Sequence, residues 1–229
     1  MEDKVEWNKT VLVQERVKNN SFYEEPSSES KYGSWQGRPI IGRDFPINGG
    51  VYLGGGEREA IVVDDNKQPE LKSIYQELLK RRAIKEKRGE PFKYGVLKEV
   101  FDITREMLPF NERVVDGLTA DLEPDQKIAL SVFINSKGGV CRHEALLAAY
   151  LLEKLKVDKY VSGKVSVDRN FVEGKGGHAW VRYVNSANQV YIIDPAQNFI
   201  GRIEDIGLDQ WFYTRPSSFS QKIKNLFIK

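Results

Sequence analysis

One cysteine, Cys141, occurs in 229 residues, which excludes an intrachain disulfide framework and a zinc site built from several thiolates. Histidine is almost as scarce, with only His143 and His178. Charge of one sign is lacking too. Lys and Arg number 35 against 33 Asp and Glu, a formal +2 that gives no electrostatic case for nucleic acid as a partner. The longest apolar run, Ala145 to Leu152, falls far short of the ~20 residues needed to cross a bilayer, so no membrane partner is expected. The opening Met1–Trp7 has no apolar core of a secretory signal. The expected location is the reducing cytoplasm, with signal-independent export left open.

What is present begins with Lys137-Gly138-Gly139-Val140-Cys141, followed by a strongly apolar helical run. This places a thiol at a helix N-terminus, where unpaired N–H groups and the helix dipole favour negative charge. A cysteine so placed is partly thiolate near neutral pH, and the thiolate is the nucleophile. The glycines are expected to let the backbone turn and to leave the sulfur approachable. From Ala145 to Leu152 the helix is apolar on nearly every face, which predicts burial on all sides.

Residues 1–35 read as a polar N-terminal arm or extension, with a short strand at Val11–Val13; residues 36–229 read as one domain. Gly50–Leu53 and Ala60–Val63 predict a hairpin across Gly54-Gly55-Gly56; no Lys-Ser/Thr follows, so a phosphate loop is disfavoured. Helices are predicted from Pro69 and over Tyr94–Met107. Basic residues at the end of the first read as a solvated helix terminus. Asp116-Gly117 reads as a turn. Beyond the cysteine helix the pattern changes to strands, with Asp168–Gly177 as a polar loop and Phe199–Ile203 as a last strand. Trp211-Phe212-Tyr213 is expected to fold back on the body within an irregular tail, Asp209–Lys229. The class is α+β.

His178 and Asp194 fall on two β-prone runs flanking Asn185–Asn188, and their midpoint is Ser186. Residues equidistant from a hairpin's centre face each other, so imidazole and carboxylate are predicted neighbours. Roles follow: Cys141 as nucleophile, His178 as general base and then acid, and Asp194 to orient the imidazole. The Cys141 N–H would serve in an oxyanion hole with a second donor that the sequence does not name. His143, two positions from Cys141, points elsewhere on the helix and is expected to bond locally or to pack near the site.

Gly139-Val140-Cys141-Arg142, His178-Ala179-Trp180-Val181 and Ile193-Asp194-Pro195 resemble, in order, the three signature blocks of the transglutaminase-like superfamily, across about residues 128–205. The resemblance implies a papain-like α+β core with a central buried helix carrying the cysteine at its N-terminus, packed on an antiparallel sheet. It implies attack on an amide or thioester-like carbonyl by Cys141, His178 and Asp194, with a protein or peptide as substrate. No acidic cluster suggests a calcium site, and no metal or other cofactor is expected.

Several readings stay open. A thiol hydrolase, peptidase or amidase, is the first. An acyltransferase that passes the same acyl-enzyme to an amine is the second, differing only in whether water is excluded. A catalytically silent binding domain of the same fold is the third, since a lone cysteine before an apolar helix is often an inert core thiol. Metal binding by Cys141, His143, His178 and Asp194 is disfavoured because Cys-x-His lacks zinc-ligand spacing.

Overall fold

A computed structural model of the chain describes residues 5–7, 9–88, 95–207 and 211–215. Among these, six α-helices and three sheets make an α+β fold. The first element, α1 (Lys9–Lys18), is a helix where the sequence predicts a strand. The reason is tertiary. Val13 and Val17, one turn apart, bury together with Trp35, Ile40 and Val51. Arg16 fixes the helix further, forking onto the Asp125 carboxylate at 2.5 and 3.0 Å and donating to the Gly56 carbonyl at 2.7 Å. Three short strands follow, β1 (Tyr23–Glu24), β2 (Ser34–Trp35) and β3 (Arg38–Pro39), in one antiparallel sheet.

The predicted hairpin forms from β4 (Val51–Leu53) and β5 (Ala60–Val62). Between it and its third strand lie α2 (Pro69–Arg88), α3 (Val96–Met107) and α4 (Glu112–Thr119). Pro69 opens α2 as expected, and the basic end of that helix is ion-paired: Arg81 with Glu77 and Glu106, Arg82 with Glu86. The predicted Tyr94 start of the next helix lies outside the described residues. Asp116-Gly117, read as a turn, sits inside α4. The Asn111 side chain caps that helix by accepting from the Val114 N–H at 3.3 Å, and Val115 is buried in the core. A cap and an apolar anchor outweigh the ~1 kcal/mol that one glycine costs.

Next, β6 (Lys127–Ala129) pairs in parallel with β5, and α5 (Leu130–Asn135) carries the chain to the glycine pair. The centre of the molecule is α6 (Cys141–Val157). Every residue from Ala145 to Leu152 is 0% exposed, as the all-round apolar pattern predicts. Each buried leucine there contributes roughly 2 kcal/mol, so this helix is held rigidly from its second turn onward.

One face of a four-stranded antiparallel sheet receives α6: β7 (Lys164–Val172), β8 (Gly176–Val184), β9 (Val190–Asp194) and β10 (Phe199–Arg202), ordered β10-β9-β8-β7. Two expectations change here. Asp168–Val172 belongs to β7 and is not a loop. Its polar residues are buried because partners arrive from residues 211–215: Arg215 donates to Asp168, and Trp211 to Asn170. The β8–β9 register, from Val184↔Val190 to Val181↔Ile193, centres the turn on Ala187, one residue later than predicted. Asp194 therefore falls beside Trp180, with His178 two residues further along the same face.

Tyr213 is 1% exposed and stacks on Phe199 at 5.6 Å, so the Trp211–Tyr213 segment does fold back on the body. The remainder of the predicted tail, Asp209–Gln210 and from Pro216 on, lies outside the described residues. No described helix is long and apolar enough to cross a membrane.

Candidate active site

The loop before Cys141 is clamped from inside. Asn111 donates its N–H to the Gly139 carbonyl at 2.7 Å, and Gly139 donates to the Pro109 carbonyl at 3.0 Å. A Cβ on Gly138 would fall inside the Val114 side chain, and one on Gly139 would stand 2.9 Å from Leu108 Cγ. The glycine pair is thus required by close packing against α4 and the segment before it. That is a different reason from an open approach to the sulfur.

Val140 has no side-chain acceptor to cap α6, and the cap comes from the other direction. The Val140 N–H donates to His143 Nδ1 at 3.1 Å, so an imidazole fills the role usually held by Glu or Gln at the third helical position. With Nδ1 accepting, the proton of this ring is on Nε2, which lies 3.2 Å from Glu59 Oε1. Arg142 Nε donates to the same oxygen at 2.7 Å. Burial holds His143 down to about 4, while Glu59, hydrogen-bonded to His143 and Arg142 against the cost of its own burial, lies at about 2. His143 is therefore neutral, bonded locally as expected, and stands against Glu59, the residue before β5.

His178 and Asp194 meet across the sheet despite the shifted register, with Nε2 to Oδ2 at 2.5 Å. Asp194 is 0% exposed and His178 is 7% exposed. The other ring nitrogen, Nδ1, remains for the Cys141 thiol, to which His178 is hydrogen-bonded. The three residues singled out by their sequence pattern are brought together at the N-terminus of α6. Comparison with family models, curated proteins and solved structures finds no match.

The electrostatics of this group follow from its geometry. Burial pushes the Cys141 thiol up, but the His178 hydrogen bond and charge, the Ala179 N–H and nearby Arg142 outweigh it and hold it below its ordinary value. Burial lowers His178, and its bonds to Asp194 and Cys141 overcome that and raise it to about 10. Both shifts favour a thiolate beside an imidazolium.

Sequence reasoning missed the support around Asp194. Its Oδ2 also accepts from the Tyr213 hydroxyl at 2.8 Å, and its Oδ1 from the Gln197 N–H at 3.1 Å. Trp211 lies 4.9 Å from the His178 ring and donates to Asn170, the cross-strand partner of His178, at 2.6 Å. Trp180, fully buried, stacks at 6.1 Å on the same imidazole. The only signal for these partners was the aromatic cluster itself.

Glu144, one turn along α6 from Cys141, is 1% exposed and its Oε2 has no hydrogen-bond partner among the described residues. Burial first, then repulsion from Asp194, pushes its carboxyl up to about 7. The folded state keeps a proton that the unfolded chain releases near 4.5, so stability falls as pH rises from there through 7 and stays lower above it. Glu144→Gln is expected to stabilise the protein by about 2 kcal/mol at pH 8 and by little at pH 5, read from urea unfolding. An equal change at both pH values would contradict the assignment.

The half-buried thiol stands where two depressions meet. One is lined by Tyr52, Gly54, Gly55, Arg58, Arg169 and Phe171. The other, larger and more polar, includes Phe110, Glu112, Asp116, Lys175, Gln197 and Trp211. Arg58, Arg142 and Gly177 border both.

Proposed function

We propose that this chain is a thiol-dependent hydrolase of peptide or amide bonds, with Cys141 as nucleophile, His178 as proton carrier and Asp194 as its orienting carboxylate. The single observation that carries this reading is that His178 bonds Asp194 through Nε2 while pairing with the thiol at the N-terminus of α6. The helix bearing the cysteine, seated on an antiparallel sheet bearing the other two residues, also fits the papain-like core that the transglutaminase-like signature implies.

In the reaction, thiolate sulfur bonds to the carbonyl carbon and the developing oxyanion is met by the Cys141 N–H. Nδ1 of His178 gives its proton to the leaving amine as the C–N bond breaks, leaving a thioester and neutral imidazole. Water then attacks the thioester as His178 takes its proton. The C–S bond breaks, the acid departs and the thiolate–imidazolium pair is restored. Asp194, held by three donors, does not itself change protonation.

The open polar depression beside the thiol favours water over an amine as the second reactant, because acyl transfer to an amine requires that water be excluded. The test is a mixed peptide digest incubated with the protein and an isotopically labelled primary amine, read by mass. Cleaved or deamidated products that disappear in Cys141→Ala are expected. Amine-bearing products would replace hydrolase by acyltransferase, and no Cys141-dependent product of either kind would leave the third reading, a binding domain.

A further inference from the structure

The two depressions differ in charge. Glu112 and Asp116 line the larger one together with Lys175, Arg58 and Arg142, whereas Arg58, Arg142 and Arg169 line the smaller with no carboxylate among the described residues there. Of these three cations, Arg142 is neutralised by Glu59 at 2.7 Å. Arg169 donates to the Leu53 carbonyl and lies 5.0 Å over the Tyr52 ring, with no carboxylate partner among the described residues. Arg58 has no side-chain hydrogen-bond or ion-pair partner among the described residues, and it is exposed at the junction of both depressions.

This arginine is nevertheless held in place. Its stem lies along Gly54, where a Cβ would meet Arg58 Cβ at 3.2 Å and Cδ at 3.4 Å. Its carbonyl accepts from the Asp125 N–H at 2.8 Å, and the preceding Gly56 is bound by Arg16. Glu59, next in the chain, is fixed by Arg142 and His143. The loop spends its bonds on its backbone and on Glu59 and leaves one guanidinium free beside the thiol. A preorganised, unpaired guanidinium fork is matched to a carboxylate.

We propose that the half of the cleft lined by Arg58 and Arg169 binds a carboxylate of the substrate, and that Arg58 selects peptides with an acidic side chain beside the attacked bond. The inference rests on the thiol reading above for the position of that bond. Tyr52 and Phe171 provide apolar surface for the stem of an aspartate or glutamate, with Phe171 wedged so closely that a Cβ on Gly55 would overlap its ring. The second depression sets Glu112 and Asp116 against its own cations, Lys175 and the shared arginines, so it offers the same acidic group less than the smaller one does.

Because Cys141 is the only cysteine, two small alkylating agents report the charge beside it directly. Rates with iodoacetate and iodoacetamide are measured for wild type, Arg58→Ala, Arg58→Lys and Arg58→Glu, at low and high salt. The iodoacetate-to-iodoacetamide ratio is expected to fall about threefold in Arg58→Ala and further in Arg58→Glu, to be retained in Arg58→Lys, and to fall with salt. In matched peptides carrying Glu or Gln beside the cleaved bond, Arg58→Ala is expected to erase a preference for Glu in kcat/KM. A ratio unmoved by Arg58→Ala and Arg58→Glu overturns the proposal. Slow labelling by iodoacetamide that ignores His178 would instead overturn the thiol reading, and the ratio still reports on Arg58 in that case.

Discussion

His178→Ala is expected to slow alkylation of Cys141 by iodoacetamide at pH 5 at least about tenfold. The wild-type thiol is held below its ordinary value by His178 against a burial cost. Without the imidazole that cost remains while the compensating hydrogen bond and charge are lost, so the thiol rises and its ionised fraction at pH 5 falls. A low-pKa thiolate is intrinsically the weaker nucleophile, which takes back a fraction of that loss because the dependence on pKa is less than proportional. Ionisation wins by the remainder. The variant profile should rise only towards the free-thiol value, whereas the wild-type profile should rise at lower pH. The measurement is the pH dependence of labelling, site-resolved by the single cysteine; parallel profiles would contradict the ion pair.

Arg215→Ala is expected to cost about 2 kcal/mol of stability and to disturb the site from a distance. Asp168 is fully buried, and Arg215 forks onto it at 2.6 and 2.7 Å while also holding Asp44 at 2.9 and 3.1 Å. Removing the arginine leaves the Asp168 carboxylate with Ser166 Oγ as its remaining side-chain hydrogen bond among the described residues. The nearby charges of Arg43 and Arg182 offset part of the penalty, which is why the expected loss lies below the full cost of an unpaired buried charge. Arg215 also lies two residues after Tyr213, in the segment that sets Trp211 on His178 and the Tyr213 hydroxyl on Asp194. Unfolding in urea measures the first effect and iodoacetamide labelling the second. The variant should lose both stability and low-pH reactivity of Cys141, while Tyr213→Phe should lose mainly the latter. Unchanged stability in Arg215→Ala would contradict the account.

The parts of the molecule legible in the sequence are those written in local pattern. The run Ala145–Leu152 admits only a buried helix, a glycine pair before it places the thiol at the tip, and alternating β-branched and aromatic residues around Asn185 announce the hairpin. His178 and Asp194 met even though the register was misplaced, because the shift carries each to a position on the same face of the sheet.

What could not be read depends on distant partners. Asp168 and Asn170 look like loop residues until Arg215 and Trp211 supply their hydrogen bonds. Gly138 and Gly139 look like a flexible approach until Val114 and Leu108 are seen against them. The same holds for His143, whose position in the sequence suggests a local bond but not Glu59, more than eighty residues earlier. Propensity likewise misread Val11–Val13 and Asp116-Gly117, where contacts with Trp35 and a cap from Asn111 decide the local structure.

The central claim is the thiolate–imidazolium pair, and the chain's two histidines allow a direct test by nitrogen-15 NMR across pH 5.5 to 8.5. His178 is raised to about 10 and His143 lowered to about 4, so neither should titrate in that window. One ring should show two protonated nitrogens throughout, and the other a neutral ring with its proton on Nε2. In Cys141→Ser the charged ring alone should begin to titrate as its thiolate partner is lost. A His178 that is neutral at pH 7 and titrates near the ordinary value of about 6.5 would contradict the account.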